Sequence, residues 1–220
     1  MTVLPFLKKL AKNNNKPWFD ENRALYVTAK TDFEEFVESL IESYGKHDPT
    51  VAHLLPRECI FRINRDVRFS KDKSPYKTNF GAFINSGGKK SPLAGYYVHI
   101  EPGGSFVGGG LYMPMPDMLA KVRQEIDYNL PEFKSIISAA AFKKQYKDLH
   151  RGEDISLTRV PKGYEPANPA AEYLKLKSLI AMRSLSDEEV QSKELEKICV
   201  AAFKALKPLV EFANRSISEQ

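Results

Sequence analysis

Cysteine is scarce in this 220-residue sequence: the two that occur, Cys59 and Cys199, lie far apart and form no CxxC pair. That excludes a disulfide scaffold and a cysteine-based zinc site. Long apolar runs are also missing. The longest uninterrupted one, Ile198 to Phe203, falls far short of the roughly 20 residues that cross a bilayer. The first ten residues, MTVLPFLKKL, carry neither a secretory apolar core nor a small-residue cleavage site. No Gly-Lys-Ser/Thr phosphate loop, GxGxxG, HExxH or Gly-x-Ser-x-Gly elbow is present. No repeat or low-complexity tract appears. These absences give the expectation of a cytoplasmic protein with reduced thiols and no membrane partner. The cofactor is left unknown.

What is present is an ordinary globular composition, 42% hydrophobic and 28% charged, in a length that suits one domain over residues 1–220. The net charge of +5 is localised. Between Arg57 and Lys77 there are seven bases against three acids, whereas the rest of the chain is almost neutral.

Periodicity predicts helices at both ends and a sheet between them. Leu4 to Lys12 reads as helical, broken at Asn13–Asn15 and followed by Pro17 in a first helical turn. Phe33, Phe36, Val37, Leu40, Ile41 and Tyr44 recur at helical spacing up to Gly45. Strands are expected at Glu58–Asn64, Phe80–Asn85, Gly95–Glu101 and Ser105–Met113, with Pro102-Gly103-Gly104 as a hairpin turn. Asp117 caps a helix to Asn129, and Pro131 opens another. Residues 148–171 read as irregular, and Leu176–Leu185 as a fifth strand. Ser186 and Glu189 have capping-box spacing ahead of a helix, and a last helix runs from Lys193 to Asn214. The predicted fold is α+β, an antiparallel sheet of about five strands flanked by N- and C-terminal helices.

The basic segment is the candidate site. Arg62, Arg65 and Arg68 suit bidentate grip on phosphate or carboxylate, with Lys71, Lys73 and Lys77 as point charges and Tyr76 and Asn79 as neutral donors. Asp66 and Asp72 are candidate catalytic bases, groups that orient the cations, or metal ligands. Gly108–Gly110, glycines inside a strand, mark a bulge or a close approach, and beside the Arg cluster can form a pocket wall. Ser70 and Lys73 match the Ser-x-x-Lys pattern of serine acyl-enzymes without its companion motifs. His99 and Glu101 share a strand face, but no further ligand supports a metal, and a hydrogen-bonded sheet histidine is the expectation. Cys59 falls on the apolar face of its strand, where a thiol is inert.

The run from Arg65 to Asn79, RDVRFSKDKSPYKTN, resembles the signature of domain-of-unknown-function family 2461. The likeness extends to Asn14, Asn15, Trp18, Phe19, Asn22, Arg23 and Tyr26, to Tyr97–Gly110, and to Leu174–Leu185 before Ser186–Glu189. It covers roughly residues 4–213, implies a single domain, and brings no settled activity. It groups Arg23, at the start of the long helix, with the basic loop.

Three functions fit these residues. The first is binding of, and action on, a small anion bearing phosphate or carboxylate. The second is nucleic-acid binding, with Phe69 or Tyr76 stacking on bases. The third is an interaction module whose Arg–Asp pairs are structural. The small size of the charged segment favours the first.

Overall fold

An amphipathic first helix, α1 (Val3–Lys12), buries Val3, Leu4, Phe6, Leu7 and Leu10 at helical spacing. The structure is a computed structural model describing residues 1–153 and 155–218. Asp154, inside the stretch read as irregular, lies outside the described residues. Asn15 caps α2 (Lys16–Glu21), its side chain accepting from Trp18 N, with Pro17 in the first turn. The predicted stripe lies on α3 (Arg23–Gly45), which buries Phe33, Val37, Leu40, Ile41 and Tyr44. A short turn, α4 (Pro56–Cys59), precedes the strands β1 (Phe80–Ile84), β2 (Gly95–Ile100) and β3 (Phe106–Leu111).

Downstream come α5 (Pro116–Tyr128), α6 (Leu130–Ser138), α7 (Ala140–Tyr146) and α8 (Ala171–Leu174). The chain continues through β4 (Leu179–Ser184) and α9 (Asp187–Gln191) into α10 (Leu195–Ser218). The capping box at Ser186 and Glu189 forms as predicted. Asp117 does not cap α5: the cap position is Met115, and Asp117 sits in the first turn, where its charge still complements the helix dipole. The fold is α+β, helices flanking an antiparallel sheet in the order β1-β2-β3-β4. Among the described residues no helix is long and apolar enough to cross a membrane.

The sheet has four strands because Glu58–Asn64 does not join it as a ladder. Pro56 starts a helical turn through Cys59, with Leu55 N–H donating to Glu58. Beyond it the chain is extended but, among the described residues, pairs its backbone with the partner segment in two places. Ile60 bridges Ala82, and Phe61 N–H donates to Gly81 O at 3.0 Å. Asn64 bridges Tyr76, while Lys77 N–H donates to Ile63 O and Arg65 N–H to Pro75 O. Between these two contacts Arg62 alone stands opposite Thr78, Asn79 and Phe80. That slip interrupts the ladder and undoes the predicted alternation: Cys59 and Ile63 are buried, and Phe61 is exposed.

By packing, the chain divides into two compact units, one of residues 1–90, 97–107 and 184–201, the other of 91–96, 108–183 and Ala202 onward. In the first, Phe6, Phe19, Tyr26, Phe33 and Phe80 form an aromatic cluster with centroids 5.0–6.4 Å apart. Glu196 accepts hydrogen bonds from Ser39 and Ser43, which tie the start of α10 to α3.

In the second unit Arg215 bonds both Glu125 and Glu132, and Phe133 packs on Tyr173 and Phe212. Gly108–Gly110 belong here. A Cβ on each would stand 2.1 Å from a backbone oxygen, of Ala181, Gly95 and Leu179 respectively. The close approach is thus to neighbouring strands, and at Gly109 and Gly110 a positive φ adds a second demand for glycine. These glycines do not line the pocket described below.

Candidate functional site

The basic segment separates into a tip that binds itself and a base that opens onto a pocket. At the tip, Arg65 pairs with Asp72 and also donates to Ser74 O and Ser70 Oγ. Arg68 grips Asp66 through two nitrogens, at 2.9 and 2.6 Å. Lys73 Nζ donates to Val67 O at 3.0 Å, so Ser70 and Lys73 do not pair as an acyl-enzyme dyad would require. Lys71 is exposed, and Phe69 projects with 95% of its surface accessible.

The tip's electrostatics follow from these bonds. The Ser74 hydroxyl and N–H, then Arg65, hold the Asp72 carboxyl far below the usual carboxylate range. Arg68 holds Asp66 below it in the same way. Carboxyls so stabilised as anions are firm acceptors for arginine and weak proton acceptors near neutral pH.

Two predicted ligand residues lie elsewhere. Tyr76 is buried with its ring stacked on Phe19 at 4.0 Å, and Asn14 brackets its backbone through Tyr76 N and O. It anchors the loop to the aromatic cluster. Trp18 and Tyr26 pack near Phe6 in the same cluster, while Arg23 is exposed at the start of α3.

At the base, Arg62, Lys77 and Asn79 line a pocket of about 200 Å³ together with Phe61, Gly81 and Tyr97. The pocket lies at the register slip, with Arg62 on one side and Asn79, one of the residues opposite it, on the other. Among the described residues, the ion pairs of the segment engage Arg65 and Arg68 and leave Arg62 and Lys77 outside them, Arg62 reaching Asp66 only through its charge and not in a contact pair. Lys77 Nζ lies 5.6 Å from the Phe61 ring centroid. Burial, then the charge of Arg62, pushes the Lys77 ammonium below its ordinary value of 10.5.

Behind the pocket, alternate residues of β2 and the residue after it carry a polar row. Tyr97 Oη and Asn79 Nδ2 lie 3.3 and 3.4 Å from His99 Nδ1, and His99 Nε2 lies 3.2 Å from Glu101 Oε2. The amide nitrogen can only donate and the carboxylate can only accept, which assigns Nδ1 as the acceptor, with the phenol as its second donor, and directs Nε2–H at the carboxylate. Thr78 Oγ1 donates to Glu101 at 2.8 Å, and Phe106 stacks on the imidazole at 4.7 Å. Gly81 admits the phenol: a Cβ there would stand 2.4 Å from Tyr97 Oη.

His99 is the hydrogen-bonded sheet histidine the sequence suggests. Among the described residues no group of three or more His, Cys, Asp or Glu converges as a metal site. Cys59 is buried, and its thiol is pushed up to about 11.

Sequence reasoning missed Tyr97 and Gly81. The period-two row Tyr97, His99, Glu101 was readable on one strand face; Gly81 opposite it had no signal of its own.

The chain belongs to the family described as conserved hypothetical protein, DUF2461, whose model matches residues 2–212. Comparisons with curated proteins and with solved structures give no match.

Proposed function

We propose that this DUF2461 protein binds a small anionic ligand, through a phosphate or carboxylate group, in the pocket of Arg62, Lys77, Asn79 and Tyr97. The carrying observation is the convergence on one cavity of two cations that, among the described residues, form no ion pair. Two like charges held together, one of them half-buried, are costly unless an anion lies between them. Arg62 offers a fork, Lys77 a point charge, and Asn79 and Tyr97 neutral hydrogen-bonding groups. The volume is below the ~300–1,000 Å³ of drug-sized sites and suits a single small group.

In this reading the tip residues Arg65, Arg68, Lys73, Asp66 and Asp72 shape the loop, and Lys71 adds long-range attraction. A second reading, nucleic-acid binding, draws on Phe69, exposed beside Arg68 at 5.8 Å and free to stack on a base.

Thermal unfolding at low ionic strength separates them. Inorganic phosphate, pyrophosphate and acetate should raise Tm at sub-millimolar levels for at least one anion, with Arg62→Ala abolishing the rise. No shift with any of them up to about 10 mM sinks the reading. Single-stranded oligonucleotide binding that weakens steeply with salt and is lost in Phe69→Ala supports the second one.

A further inference from the structure

We propose that Tyr97 is an acid–base residue for an anion seated at Arg62 and Lys77, with His99 as its proton reservoir and Glu101 as the group that fixes the imidazole. The proposal rests on the anion reading for the ligand's seat, and on its own geometry for the chemistry.

Three features of β2 and its surroundings carry it. The residues stand at alternate positions, so their side chains share one face, and the distances run continuously from phenol to imidazole to carboxylate. The order is functional: the carboxylate takes Nε2–H, which leaves the Nδ1 lone pair as acceptor, shared between the phenol and Asn79. Each member is also held from outside the row, Glu101 by Thr78, His99 by the Phe106 ring and Asn79, and Tyr97 by the Phe61 and Phe106 rings. Only the phenol end lines the pocket, beside both cations. The site therefore keeps its proton acceptor behind a hydroxyl that faces the ligand, an arrangement of positioned nucleophile, base and orienting carboxylate.

The step balances with no further reactant. Tyr97 Oη takes a proton from an acidic O–H or C–H of the bound molecule as its own proton passes to His99 Nδ1. The bond to hydrogen on the ligand breaks, a new O–H bond forms on Tyr97, and the electron pair stays on the ligand. The new negative charge faces Arg62 and Lys77, and the imidazolium faces Glu101. Reversal delivers the proton. Tyr97 is the catalytic residue in this scheme; His99 and Glu101 are positioning residues.

The test reads the phenol directly, with 4-toluenesulfonyl fluoride on the full chain and peptide mapping of every modified tyrosine. The phenol oxygen bonds to sulfur, fluoride leaves, and the phenol proton passes to His99. Tyr97 should be modified about tenfold or more faster than Tyr112 and Tyr128, which are far more exposed and serve as internal references. His99→Gln should slow Tyr97 about tenfold and leave both references unchanged, and Glu101→Gln should slow it less.

Labelling of Tyr97 no faster than the references overturns the proposal without any variant. A Tyr97 rate indifferent to His99→Gln overturns it as well. Inorganic phosphate tests the anion seat separately: protection of Tyr97 supports the seat and its place beside the relay. Fast, His99-dependent labelling that phosphate leaves unchanged supports the relay and counts against the seat.

Discussion

Arg62 and Arg65 are three residues apart on one extended segment and meet opposite fates. Arg65 turns into its own loop and spends its donors on Asp72, Ser74 and Ser70. Arg62 sits where pairing slips, faces a cavity and has Lys77 for a neighbour. The tip is an arginine–aspartate network that satisfies itself; the base is a pair of cations that does not. Side-chain type is the same in both places. What separates them is backbone register, which decides whether a carboxylate stands in direct contact, as Asp72 does with Arg65, or acts only at a distance, as Asp66 does on Arg62.

Exchanging the two arginines gives the largest expected effect. Arg62→Ala should weaken phosphate binding by about tenfold or more, whereas Arg65→Ala should change it by less than about twofold. Stability should respond the other way. Arg65→Ala lowers Tm by about 2–4 °C because it frees the loop ends, and Arg62→Ala leaves it level or raises it. Titration calorimetry with phosphate and thermal scans of the apo variants read both. Equal binding losses in the two variants would erase the distinction between tip and base.

That distinction was only half legible in the sequence. The long helices were, because α3 and α10 carry their apolar residues at a clear period and Ser186 and Glu189 sit at capping distance; the short turns α4, α7 and α8 were not. Charge density located the right segment but could not sort it. Asp66 and Asp72 looked like candidate bases; their sequence separation from Arg68 and Arg65 does not reveal that the loop folds them onto those arginines. Tyr76 looked like a donor beside lysines, and stacking on Phe19, dozens of residues away in the chain, is a tertiary fact. The slip at Arg62 was invisible because Glu58–Asn64 alternates well enough to pass for a strand. Gly108–Gly110 signalled a close approach correctly, but not to what.

Of the two regions, acid should act on the tip. Asp72 titrates lower in the folded chain than its ordinary 3.8, so it contributes stability above that value. That contribution is lost as pH falls through the depressed folded value, because the unfolded chain then binds the proton more readily. Asp72→Asn should lower Tm at neutral pH and flatten its decline below about pH 4 relative to the parent. Parallel acid profiles for parent and variant would mean that the bonds of Asp72 to Ser74 and Arg65 do not persist in solution.

Alkali should act on the base, in the opposite sense and by the smallest amount. Lys77 titrates below its ordinary 10.5 when folded, for burial and for Arg62. At neutral pH the folded protein therefore carries an ammonium that the unfolded chain accommodates better, and Lys77 subtracts from stability. As pH rises through the folded value toward 10.5 the unfolded state holds more protons than the folded one, so stability climbs. Lys77→Met keeps an unbranched stem against Phe61 and removes the charge. The variant should be more stable than the parent at neutral pH, by about 1–2 °C in Tm, with the gap closing as pH approaches 10.5. Saturating phosphate should close the same gap at neutral pH, since an anion between Arg62 and Lys77 cancels the repulsion that the variant removes. A gap that phosphate leaves open, alongside one that alkali closes, would place the anion away from Lys77 and confine the seat to Arg62.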